Sequence, residues 1–144
     1  MLPQLEPINP CPVCNFKLFV PVSKMTVSAL GVYNDARFAG RSILSLTPHY
    51  DSLEDVPVGA ASLFMKDIQD AVKALKAATG SPRINVAILG NRESHVHAHL
   101  IPRYPAQEKF PDCSPWDDPR EKTFLSDDDL SLLVLRIKAC FLDP

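Results

Sequence analysis

The chain has 144 residues, is 46% hydrophobic and 22% charged, and carries a net charge of −2. That suits one domain spanning 1–144 around one core, and it excludes a disordered chain. No apolar run reaches the ~18 residues of a spanning helix. The charge balance gives no general pull toward nucleic acid or an anionic membrane, so a phosphate-bearing ligand must be held by local geometry. The first residues lack the basic-then-apolar pattern of a secretory leader. The expected compartment is therefore the reducing cytoplasm, where paired cysteines are more often metal ligands or reactive thiols than disulfides.

In chain order, residues 17–21 (KLFVP) and 26–33 (TVSALGVY) read as short strands. Residues 41–46 (RSILSL), bounded by Gly40 and Pro48, alternate and read as a third. Residues 57–79 read as a helix, with Ala61, Phe64, Met65, Ile68, Val72 and Leu75 at three- and four-residue steps as its core stripe. Pro57 suits its start and Gly80 its end. Residues 84–89 (INVAIL) and 95–101 (HVHAHLI) read as two strands joined by the short turn GNRES, a hairpin near the middle of an antiparallel sheet. Residues 106–123 form a proline-rich loop. Ser126 is placed to cap a last helix over 127–141, with three aspartates in its first turn. The expected architecture is α+β: an antiparallel sheet of about five strands, a central helix and a C-terminal helix.

Three of the four histidines, His95, His97 and His99, alternate in one strand. Alternation puts them on one face, with Val96, Ala98 and Leu100 on the other. Two chemistries want such a row. Three imidazoles can share a catalytic metal, or one can act as a nucleophile with its neighbours in support. Separately, Cys11-Pro-Val-Cys14 is a C-x2-C pair, readable as half a zinc site or as a redox couple.

The segment His95-Val96-His97-Ala98-His99-Leu100-Ile101, continuing into Pro102-Arg103-Tyr104, resembles the signature of the histidine triad superfamily of nucleotide hydrolases and transferases. The strand 40–49, ending in a proline–histidine turn, and Leu89-Gly90-Asn91 before the triad extend the likeness over roughly 11–104. Residues 105–144 add the C-terminal loop and helix. The resemblance implies a nucleotide substrate, an adenosine phosphoramidate or a dinucleoside polyphosphate. It implies that His97 attacks the α-phosphorus to give a nucleotidyl-histidine intermediate, with His99 on the phosphate. It also implies a structural zinc on Cys11, Cys14, His49 and His95, as in the branch with an N-terminal C-x2-C, and a homodimer. Transfer to a sugar phosphate or other acceptor, and a non-catalytic nucleotide-binding module, are the alternatives.

Four further residues are candidates for substrate binding. Asn34 and Asp35 can meet ribose hydroxyls or simply form a turn. Asn91 can contact phosphate or shape its loop. Arg92 can supply a cation to the phosphate or stand exposed. Trp116 can border the pocket or anchor its loop, and Cys140 reads as core.

Overall fold

A computed structural model describes residues 8–142. Five strands form one antiparallel sheet: β1 (Val20–Lys24), β2 (Ser28–Val32), β3 (Ser42–Leu46), β4 (Arg83–Ala87) and β5 (His97–Arg103). Their spatial order is β1-β2-β3-β5-β4. Helix α1 (Val58–Thr79) connects β3 to β4, and α2 (Asp127–Leu142) closes the chain. The α+β expectation and the element order hold. Among the described residues no helix is long and apolar enough to cross a membrane.

Most boundaries follow the local chemistry. Pro57 is the N-cap residue of α1, and Gly80 ends it in the left-handed region at φ 71°, which costs glycine little. The Ser126 hydroxyl accepts from the Asp129 N–H at 3.2 Å, as expected of a cap.

Five expectations need correction. The first strand lies three residues further on, at Val20–Lys24. The triad strand starts at His97 rather than His95. The connection before it is no tight turn, since β4 ends at Ala87 and nine residues intervene. β5 is interior to the sheet, but β4 is its edge. In α1, Met65 is 53% exposed while Asp67 is 1% exposed. Asp67 accepts from the Thr26 N–H (3.2 Å), the Val27 N–H (2.8 Å) and the Ser28 hydroxyl (2.7 Å). It satisfies the β1–β2 turn from across the core, where those donors would otherwise be orphaned.

One face of the sheet carries Val22, Leu30, Val32, Leu44, Leu46, Ala98 and Leu100 against Phe64, Ile68, Ala71 and Leu75 of α1 and Leu133 and Ile137 of α2. Packing the helices on that face leaves the other for chemistry. In register, Ser45 faces His97 and Ile43 faces His99, so this second face presents Arg41, Ile43 and Ser45 beside His97 and His99. Gly31 faces Ile43 there. A side chain at Gly31 would meet Leu18 Cβ at 2.8 Å. The glycine lets the N-terminal segment lie down on the sheet beside the histidines.

Candidate active site and metal centre

The N-terminal segment forms a knuckle. The Cys11 N–H donates to the Phe16 carbonyl and the Asn15 N–H to the Cys11 carbonyl, both at 2.9 Å. Asn15 takes φ 63°, which asparagine tolerates better than most side chains. The knuckle brings Cys11 and Cys14 to His49, at the end of β3, and to His95, at the foot of β5.

One ligand atom from each of Cys11, Cys14, His49 and His95 lies within 4.8 Å of all the others. Cys11 Sγ is 3.6 Å from His49 Nδ1, and Cys14 Sγ is 3.4 Å from His95 Nδ1. The two Nδ1 atoms are 3.2 Å apart. Bond lengths of zinc to sulfur and nitrogen give tetrahedral edges of about 3.5 Å (S–N) and about 3.3 Å (N–N). The group therefore fits zinc in size as well as in donor type.

The tautomers agree. His95 Nε2 donates to the Leu46 carbonyl at 2.7 Å, which leaves the Nδ1 lone pair facing the cluster. His49 Nε2 bonds Asp51 Oδ1 at 2.7 Å, with the same consequence. Asp51 raises the His49 pKa, and burial lowers that of His95. Burial pushes the Cys11 thiol up, but the N–H groups of Cys14 and Val13 outweigh it and hold it at about 7.

His97 stands outside this group. Its Nδ1 donates to the His95 carbonyl at 2.6 Å, and the residue is 6% exposed. Since a carbonyl only accepts, Nδ1 carries the proton in the neutral ring and Nε2 keeps its lone pair. Phe16 stacks across His95 at 5.0 Å and 8°, and across His97 at 4.9 Å and 29°. The His99 ring meets His97 at 5.0 Å and Trp116 edge-on at 5.4 Å. Burial, with His97 and Arg41 nearby, lowers the His99 pKa to about 4, so this ring is neutral at pH 7.

Two cavities border the row. One of about 170 Å³ opens beside His97 and is lined by Asp51, Ser52, Ile88, Leu89 and Gly90 among others. A larger one of about 480 Å³ lies on the metal side, walled by Phe16, Leu18, Met25, Val27 and His95, and does not include His97.

The four other candidates fall elsewhere. The Asn34 amide donates to the Leu125 carbonyl at 3.1 Å and accepts its N–H at 2.8 Å, so it pins the C-terminal loop to β2. Asp35 is 1% exposed. It caps the turn Ala36–Phe38 and pairs with Arg37 at 2.9 Å and Arg41 at 3.0 Å. Asn91 and Arg92 are exposed and do not line the recess beside His97, though Gly90 does. Sequence reading missed Phe16, Asp51 and Arg41. Only Asp51, two residues from His49, carried a local hint.

Burial opposes ionisation of Asp35, but the hydrogen bonds and charges of Arg37 and Arg41 prevail and hold its pKa below 3.8. Asp35→Asn should cost about 3 kcal/mol, because it leaves two half-buried guanidiniums without their carboxylate. A folded pKa below the unfolded one stabilises above the unfolded value and loses that gain as pH falls through the folded value. In thermal melts the gap between wild type and Asp35→Asn should therefore be full near pH 6 and close only as the pH falls below the ordinary carboxylate value of 3.8 and through the lowered folded one.

The strand order, the helices on one face and the alternating histidines on the other define the histidine triad fold. No family model matches the sequence, and no curated protein does. Solved structures match along most of the chain. A histidine triad protein from Sinorhizobium meliloti 1021 superposes with TM-score 0.74 at 20% identity, covering 83% of this chain and 87% of its own. A zinc-bound histidine triad family protein from Mycobacterium smegmatis gives 0.59 at 15% identity, covering 85% and 83%. The diadenosine triphosphate hydrolase of Plasmodium falciparum gives 0.61 at 15% identity, covering 94% and 84%.

Proposed function

We propose that this protein is a nucleotide hydrolase that works through a nucleotidyl-His97 intermediate. Its substrates are adenosine phosphoramidates or dinucleoside polyphosphates. The observation that carries the reading is the 2.6 Å bond from His97 Nδ1 to the His95 carbonyl, which leaves Nε2 as a fixed, unprotonated nucleophile. The fold shared with a diadenosine triphosphate hydrolase supports the substrate class.

His97 Nε2 attacks the α-phosphorus and forms a P–N bond, while the bond to the leaving group breaks on the opposite side. A phosphate leaving group departs with the electron pair as an anion; an amine takes a proton from solvent. Water then attacks phosphorus, the P–N bond breaks, its electron pair returns to Nε2, and the nucleoside monophosphate leaves. His99, neutral and one ring away, offers a donor to a non-bridging oxygen. Cys11, Cys14, His49 and His95 would hold zinc, which when bound cross-links the N-terminal knuckle to the sheet. The free edge of β4 offers a second chain a surface for dimer formation.

The test is trapping. The zinc-loaded protein is mixed with α-labelled adenosine phosphoramidate or diadenosine triphosphate, quenched within milliseconds and mapped by mass spectrometry. A nucleotidyl adduct on His97 is expected; turnover with no adduct on any histidine would overturn the reading. Adding a hexose 1-phosphate to the same reaction separates hydrolysis from transfer, because a transferase would shift product from monophosphate to the nucleotidyl sugar.

A further inference from the structure

The cavity of about 480 Å³ on the metal side is larger than the recess beside His97, and no step proposed for His97 uses it. Small residues make room for it. On the sheet face that carries the histidines, Ala29 of β2 stands opposite Ser45 of β3, and both line the cavity. Phe16 and Leu18 of the N-terminal segment and Met25 of the β1–β2 turn supply apolar walls. Small-molecule pockets have volumes of about 300–1,000 Å³, mostly apolar walls and a few polar groups, and this cavity has all three.

Its charge is one-sided. Among the described residues, Lys17 and Lys24 line it and no carboxylate does, although the chain carries a net charge of −2. Thr26 and Thr47 also line it, and their hydroxyls bond no other described residue. Apolar walls with cations and hydroxyls complement a molecule with an apolar body and one acidic group. A cation would meet like charge there. No arginine lines the space, so the planar fork that suits a phosphate is missing, and the ammonium of Lys17 answers a single carboxylate.

We infer that this cavity is a second ligand site, separate from the recess at His97, and that it takes a free organic carboxylate with an alkyl chain, of the medium-chain fatty acid type. The chain packs on Phe16, Leu18 and Met25 above Ala29, and the carboxylate meets Lys17. The site borders both the metal group and the histidine row. Cys11 and His95 are in its lining. Phe16 is too, and its ring stacks on His95 at 5.0 Å and on His97 at 4.9 Å. An occupant therefore fills the space beside Phe16 and holds the N-terminal knuckle on the sheet. By linkage, a ligand that favours the closed knuckle slows loss of a metal held by Cys11, Cys14, His49 and His95. The site does not rest on the nucleotidyl chemistry.

Calorimetry on the protein as purified, with bound zinc measured on the same sample, compares decanoate with decanol and decylamine. Decanoate should bind most tightly, decanol more weakly and decylamine weakest. Ala29→Leu puts a branched side chain into the floor and should raise the Kd for decanoate about 10-fold or more. Lys17→Glu should raise it several-fold and leave Tm unchanged. Ala29 is buried in β2, so Lys17→Glu, at an exposed position, carries the test if Ala29→Leu folds poorly. Decanoate should also slow the transfer of zinc to a chelator in the wild type. Decanol binding as tightly as decanoate, or decanoate affinity unchanged in the folded variants, would remove the site. Decanoate binding that leaves zinc transfer unchanged would place the ligand elsewhere on the protein. Ala29→Leu that alters sedimentation, with no decanoate bound by the wild type, would make this face a contact between copies of the chain instead. The His97 adduct experiment is independent of each of these results, so the two readings stand or fall separately.

Discussion

His97→Ala should lower kcat for a nucleoside phosphoramidate or a dinucleoside polyphosphate by roughly 10⁴-fold or more, because the nucleophile itself is gone. The trapped adduct should vanish with it. Substrate affinity should change little, since the phosphate contact proposed for His99 remains. The fold should survive. The variant loses one hydrogen bond to the His95 carbonyl and part of the surface under Phe16, a loss of about 1–3 kcal/mol. Imidazole added at high concentration should restore part of the rate by occupying the vacated space. Metal content decides between two chemistries. If His95, His97 and His99 shared one catalytic metal, His97→Ala would strip it. In the structure the four-residue group includes His95 but neither of the other two. Zinc measured on purified His97→Ala should therefore equal that of the wild type, and a matching loss of zinc and activity would bring the three-histidine metal site back.

The sequence carried the order of elements because each is punctuated locally. Pro57 and Gly80 bracket α1, and alternation marks β3 to within one residue. Asp67 was illegible. Helical periodicity counts it as polar surface, and its three donors lie some forty residues away on the β1–β2 turn. The start of β5 was misplaced because alternation runs on through His95, while His95 bonds the Leu46 carbonyl and faces the cysteines. Its end was misplaced because Pro102 reads as a stop. The Val96 carbonyl accepts the Leu46 N–H, so even-numbered residues of β5 aim their backbone groups at β3. The β3 ladder ends at Ser42 opposite Leu100. Pro102 therefore lacks an N–H where no partner strand remains, and the strand continues through it. In the site, the spacing of Cys11, Cys14 and the four histidines was legible. What Phe16 and Arg41 touch was not, since an aromatic after a knuckle and an arginine opening a strand have many ordinary uses.

Removing the metal should produce the second large effect, on stability first and on rate second. Cys11, Cys14, His49 and His95 come from three separate parts of the chain, and among the described residues the knuckle has only two backbone hydrogen bonds of its own. A ligand at about 1,000 times its Kd stabilises the folded chain by about 4 kcal/mol. For a domain of this size that is roughly 10–15 °C in Tm. Chelation, or Cys14→Ser, should lower Tm by that amount. The helices pack on the opposite face of the sheet, so helical circular dichroism at 25 °C should persist. Limited proteolysis should instead cut first within residues 8–19. Release of the knuckle withdraws Phe16 from His97, so kcat should fall with the metal even though no step passes through it. Asp51→Ala, which frees the outer nitrogen of His49, should weaken zinc binding about 10–100-fold while leaving the four ligands in place. Cys113→Ser, at an exposed position apart from the group, should leave both Tm and metal content unchanged. A chelated protein that melts with the holoprotein and resists proteolysis at 8–19 would mean that the four side chains hold no metal, and that packing alone fixes Phe16 over the histidines.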